Sequence, residues 1–140
     1  MNDDPFNLQR FVDAQTPVYD RVLAELRGGQ KQSHWIWFVF PQIAGLGHSA
    51  MAEKYAIRSL DEAKAYLDHA VLGPRLTECT QLVLDVEGKT AVQIFDYPDD
   101  LKFRSSMTLF AHAAPDAPIF RDAIRKYFND SFDKVTVRAL

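Results

Sequence analysis

Apolar residues recur at helical spacing along most of the chain. From Pro17 to Leu26, the residues Val18, Val22, Leu23 and Leu26 fall on one face. Pro17 in the first turn and Gly28-Gly29 beyond the last give the asymmetry that marks helix ends. Ser49 is placed to cap a second helix with Met51, Ala52, Tyr55 and Ala56 as its apolar positions. A third opens at Ser59, where Ser59 and Glu62 form a candidate capping box. Its inner face is expected to hold Leu60, Ala63, Tyr66 and Leu67, with Asp61, Glu62, Lys64 and Asp68 outward.

Between Val71 and Val86 the stripe Leu72, Leu76, Cys79, Val83 and Val86 is unbroken and stops at Gly88. The short run Val92, Ile94 and Phe95 fits either a strand or a helical turn. Pro98-Asp99-Asp100 reads as an acidic helix start, suited to the positive end of the helix dipole. That helix carries Phe103, Met107, Phe110 and Ala111, and another runs from Asp116 to Phe128. Val135-Thr136-Val137 alternates and fits a short strand. The expectation is one all-α domain over residues 1–140. It is an irregular or orthogonal bundle of about six helices, with at most a minor short strand pair.

Composition agrees. The 140 residues are 47% hydrophobic and 25% charged, which is ordinary for one globular domain. The net charge of −3 and the absence of a basic run argue against nucleic acid as a general partner. The single cysteine, Cys79, suits a reducing, cytoplasmic setting. The start Met1-Asn2-Asp3-Asp4-Pro5 lacks the pattern of a signal peptide. The longest apolar stretch, Trp35 to Pro41, is far short of the ~20 residues that span a bilayer, so no membrane role is expected.

Three segments carry candidate chemistry. Lys31-Gln-Ser-His-Trp-Ile-Trp-Phe-Val-Phe-Pro-Gln42 is too aromatic for an amphipathic helix and lacks the alternation of a strand. Indole N–H groups need partners when buried. The segment is therefore either a central core element, with His34 bonded to backbone, or the lining of a pocket formed by Lys31, His34 and a tryptophan. Gly45-Leu-Gly-His-Ser49 is either a turn with a serine cap or an anion seat over Gly47, His48 and Ser49. In Pro98 to Thr108, Asp99 is spaced to pair with Lys102 and Asp100 with Arg104. The sharper reading makes one carboxylate an acid or base while Lys102 holds an anionic substrate.

Other chemistries lack their signatures. His34, His48, His69 and His112 have no short metal spacing, so neither a metal nor a cofactor is expected. Cys79 sits on an apolar stripe, as core rather than nucleophile, and no Gly-x-Ser-x-Gly elbow is present.

Three strings together resemble the bacterial domain-of-unknown-function family 1810, sometimes labelled "calpastatin". They are Lys31 to Gly47, Glu62 to His69 with Leu72-Gly-Pro-Arg-Leu76, and Asp99-Asp-Leu-Lys-Phe-Arg-Ser-Ser-Met-Thr-Leu-Phe110. The resemblance runs from about Leu8 to the last helix and implies a mainly α-helical single domain; it implies no activity. Where relatives commonly read His-Pro, this chain has His69-Ala70. Calpastatin itself is a disordered inhibitor, whereas this aromatic, periodic sequence reads as folded. The Trp-rich core and late acidic element are also similar to those of the NADAR group, small helical proteins associated with ADP-ribose and N-glycosidic chemistry. Their motifs do not align with this chain, so no catalytic residue carries over.

The expected function is that of a small enzyme or binder for a nucleotide-like or otherwise anionic metabolite. Asp99, Asp100 and His34 are its catalytic candidates. Lys31, Trp35, Trp37, Gly47, Ser49 and Lys102 are its binding candidates. This requires the three segments to converge on one concavity. The alternative is a non-catalytic protein-interaction module, with Trp35 or Trp37 on an exposed aromatic surface. No oligomeric state follows from the sequence.

Overall fold

Most apolar stripes fold as helix in the structure, a computed structural model that describes residues 3–140, although the one opened by Ser49 stops at Lys54, short of Tyr55 and Ala56. Met1 and Asn2, part of the N-terminal reading above, lie outside the described residues. Helix α1 (Gln9–Gln15) passes through a single 3-10 turn (Thr16–Val18) into α2 (Tyr19–Arg27). Then come α3 (Ile36–Val39), α4 (Ala50–Lys54), α5 (Leu60–Asp68) and α6 (Leu72–Asp85). They are followed by α7 (Ala91–Phe95), α8 (Asp99–Ala113), α9 (Ile119–Phe128) and α10 (Lys134–Arg138). The fold is all-α.

Two segments that fitted strands are helices. Thr90 and Gln93 form a complete capping box that starts α7. Asp133 accepts hydrogen bonds from the Thr136 amide and hydroxyl and so caps α10. The strand pair reduces, among the described residues, to one parallel bridge between Ile43 and Ile57. There Ala44 N donates to Ile57 O at 2.7 Å and Ile57 N to Gln42 O at 2.8 Å.

Helix α8 is the axis of the bundle and packs against α3, α5, α7, α9 and α10. Its residues from Ser105 to Phe110 are all buried, as a helix enclosed on most sides requires. Aromatic rings fill the space around it in two runs. Phe38, Tyr55, Phe11, Tyr66, Phe110 and Phe120 follow one another at centroid spacings of 5.1–5.8 Å. Trp35, Phe40 and Phe103 form the second, with Phe95 stacked on Phe103 at 4.7 Å.

The outward placement of Glu62 is overturned. Its carboxylate is buried, accepting from Arg58 N at 3.0 Å and from Arg10 Nη2 at 3.0 Å. The capping box at Ser59 is therefore half made: Ser59 Oγ accepts from Glu62 N, but the glutamate reaches past it to Arg58. Arg10 is a clasp. Besides Glu62 it donates to the carbonyls of Phe6, Asn7, Lys54 and Ala56, all within 2.9 Å. Between α5 and α6, the His69 ring accepts from the amides of Val71 and Leu72 and so starts the next helix. Among the described residues, no helix is long and apolar enough to cross a membrane.

Candidate functional site

The aromatic segment is set in place by a carboxylate. Glu25, on α2, accepts from the amides of Gln32 and Ser33, from the Ser33 hydroxyl and from the Trp35 indole, at 2.6–3.0 Å. Burial alone raises the Glu25 carboxyl, but these four donors outweigh it and hold it at about 2. Trp35 is thereby fixed in the core at 1% exposure, its indole N–H satisfied. The amide of Lys31 donates to Ile94 O at 2.7 Å, which ties the same segment to α7.

Lys31 then turns inward to α8. Its Nζ lies 2.8 Å from Asp99 Oδ2, donates to Ser33 O at 2.6 Å and sits 5.1 Å from the Trp35 ring centroid. Asp99 meets a second ammonium, Lys102, at 3.5 Å, as its spacing predicts. Lys102 in turn lies 5.3 Å from the half-buried Trp37 ring. Two cations thus share one carboxylate, and each rests on a tryptophan face.

Beside this arrangement opens a cleft of about 290 Å³, bounded by Lys31, Gln32, His34, Asp96, Tyr97 and Asp99. Asp96 has a positive φ of 62° and turns the chain between α7 and α8. The Tyr97–Pro98 bond that follows is cis. Tyr97 stands at this rim at 75% exposure. His34 is exposed as well, not a core histidine.

Asp100 is 6% exposed, and its Oδ1 has no hydrogen-bond partner. The expected pair with Arg104 does not form, because that guanidinium donates to Ser131 O, Ser131 Oγ and Phe132 O instead. Of the sequence candidates, Lys31, His34 and Asp99 line the cleft, while Trp35, Trp37 and Lys102 are joined to Lys31 and Asp99 by the contacts above without lining it. Gly47 and Ser49 do not line the cleft. Ser49 Oγ is taken up in accepting from Ala52 N at 3.1 Å at the start of the short helix α4. A side chain at Gly47 would meet Ala52 Cβ at 2.8 Å, so this glycine lets the loop pack closely against α4.

Tyr97, Asp96, Gln32 and Glu25 were not singled out by the sequence. The aromatic–proline pair Tyr97-Pro98 ahead of two aspartates was the one available signal for the rim. Among the described residues, no three His, Cys, Asp or Glu side chains are grouped to hold a metal ion.

A family model described as "Protein of unknown function (DUF1810)" matches residues 5–140. The crystal structure of the conserved hypothetical protein Rv1873 from Mycobacterium tuberculosis is similar over 98% of each chain. Its sequence identity is 55% and its TM-score 0.97. No curated protein matches the chain in sequence.

Proposed function

The chain belongs to the DUF1810 family, and from that premise we propose that it binds a nucleotide-like or similarly anionic metabolite in the cleft beside Lys31 and Asp99. The carrying observation is the Lys31–Asp99–Lys102 arrangement at the edge of an open cleft. The two ammoniums are balanced by Asp99 and by Asp96, which also lines the cleft, so a ligand anion is met locally by an ammonium group rather than by a net positive charge. Lys31 lines the cleft and takes that contact, while Lys102, outside the lining, holds Asp99 in position. Tyr97 and His34 offer ring faces for a base or a sugar. Asp99 and His34 line the cleft as the groups available for proton transfer or for stabilising a cationic centre, and the buried, unpartnered Asp100 next to Asp99 is the third candidate.

The test is thermal unfolding with nucleotides, NAD, ADP-ribose and sugar phosphates, for the wild type and for His34→Ala. A ligand at 100 times its dissociation constant stabilises the fold by about 2.7 kcal/mol, a readable shift at this size. A shift in the wild type that His34→Ala loses while still folded supports the cleft. No shift with any compound defeats the reading.

A second reading is a protein-interaction module with an aromatic surface. Val92, Tyr97 and Leu101 are 48%, 75% and 44% exposed. Tyr97, rather than either tryptophan, is its aromatic element.

A further inference from the structure

We propose that a second cavity, between the C-terminal turn of α8 and the exposed face of α9, binds a small phosphomonoester carried on an apolar body. The cavity measures about 450 Å³, within the range of small-ligand sites. His112, Arg121, Arg125, Asp122 and Phe132 bound it, together with Pro115 and Pro118. None of these lines the Lys31 cleft, so the proposal stands apart from the reading above.

His112 carries the argument. Its Nδ1 lies 2.7 Å from Thr108 O. A carbonyl oxygen has no hydrogen to give, so Nδ1 holds the ring hydrogen and the neutral imidazole presents Nε2 as an acceptor. The ring packs edge-on against Phe132 at 4.8 Å between centroids, which fixes its direction as well as its tautomer.

The cations are available. Arg121 meets Asp130 at 3.3 and 3.4 Å, and its guanidinium lies 5.6 Å from the Phe132 ring centroid. Arg125 reaches Asp122 only at 3.9 Å and Asp130 at 3.7 Å. These pairs are long and about half exposed, loose enough for a ligand anion to enter. The cavity wall carries two guanidiniums and one carboxylate, Asp122, while Asp130, which does not line it, balances the second charge.

Planar arginine forks suit both phosphate and carboxylate. The number of oxygens decides between them. A phosphomonoester has three terminal oxygens, one of which keeps an ionisable hydrogen that can bridge to Nε2 while the others meet the guanidiniums. A carboxylate has only two oxygens, which a single arginine fork occupies. The proline and phenylalanine walls fit an apolar body on the ester.

The experiment titrates the full chain with phenyl phosphate while following the histidine ring signals by NMR. Benzoate is the control ligand, and Arg121→Gln/Arg125→Gln and His34→Ala are the variants. Saturable movement of the His112 signals is expected, unchanged by His34→Ala. Affinity should weaken about tenfold or more in the double arginine variant. Because both arginines are half exposed, that variant should keep its fold, checked by circular dichroism. Arg125→Gln alone, which breaks the longest contacts, replaces it otherwise. Unmoved His112 signals, benzoate binding as tight as phenyl phosphate, or full affinity without the arginines each overturn the assignment.

Discussion

Lys31 Nζ and the Asp99 carboxylate meet at 2.8 Å, joining the most aromatic segment of the chain to the first turn of α8. The partners are unequal. The Lys31 side chain is 6% exposed, and besides Asp99 it has the Ser33 carbonyl. Asp99 is 19% exposed and keeps Lys102 if Lys31 is lost. Asp99→Asn therefore strands a buried cation and should cost about 3 kcal/mol, whereas Lys31→Met should cost about 1 kcal/mol. Urea unfolding of both variants measures the difference, and an equal or reversed order would show that Lys31 does not depend on this carboxylate.

Glu25 gives the fold an acid-sensitive support. Its carboxyl falls from the ordinary 4.5 to about 2, because donors from Ser33, Gln32 and Trp35 outweigh the opposing effect of burial. A depressed folded value means stabilisation that is complete above pH 4.5 and is lost as the pH falls toward 2. Glu25→Gln should be less stable than the wild type by about 2 kcal/mol at neutral pH. The gap should close across that acid window. Unfolding midpoints of both proteins across the pH range check it; a gap that stays constant into acid would place the loss on packing rather than charge.

How much of this was legible follows from the range of the contacts involved. In α6, Leu72, Leu76, Cys79 and Val83 were readable because one local period coincides with one buried face. Helix α1 was not, since it buries only Phe11 and Gln15. Its start depends on Asp4, which accepts from the amides of Leu8 and Gln9. Arg10 then ties the helix to carbonyls more than forty positions away. Glu62 misleads for the same reason: local amphipathicity turns a carboxylate outward, and a guanidinium 52 positions earlier turns it in. In the cleft, the Asp99–Lys102 spacing was visible on a helix, whereas the meeting with Lys31 required the tertiary fold. Tyr97 left no periodic trace, and its exposure emerges only once its neighbours are packed.

Gly73 marks the closest approach of α6 to the end of α5. A Cβ placed there would lie 2.1 Å from the Leu67 carbonyl oxygen, a backbone atom that cannot swing aside. Gly73→Ala should therefore destabilise by about 3 kcal/mol or more. Gly28→Ala is the matched control. At φ −74° its nearest contact would be an ordinary 3.4 Å, and it should be neutral or stabilising by about 0.5 kcal/mol. Thermal unfolding of the pair measures both, and a Gly73→Ala protein as stable as Gly28→Ala would rule out the tight α5–α6 contact.

Cys79 tests the core assignment by reactivity. The thiol is 1% exposed, and burial pushes it from 9.0 up to about 12, against a partial lowering by the Tyr19 hydroxyl. A rise of this size cuts the thiolate fraction at neutral pH about a thousandfold relative to a free cysteine. Steric shielding acts on top of that, because an aromatic disulfide reagent cannot reach a sulfur enclosed on the buried face of α6. Labelling by such a reagent should therefore be negligible in the folded protein and rapid in urea, with a rate that follows the unfolded population. The two contributions separate with pH. Labelling limited by unfolding follows global stability, whereas labelling of an accessible thiol rises tenfold per unit until the group ionises. Native labelling as fast as that of a small thiol would mean that Cys79 is no core residue.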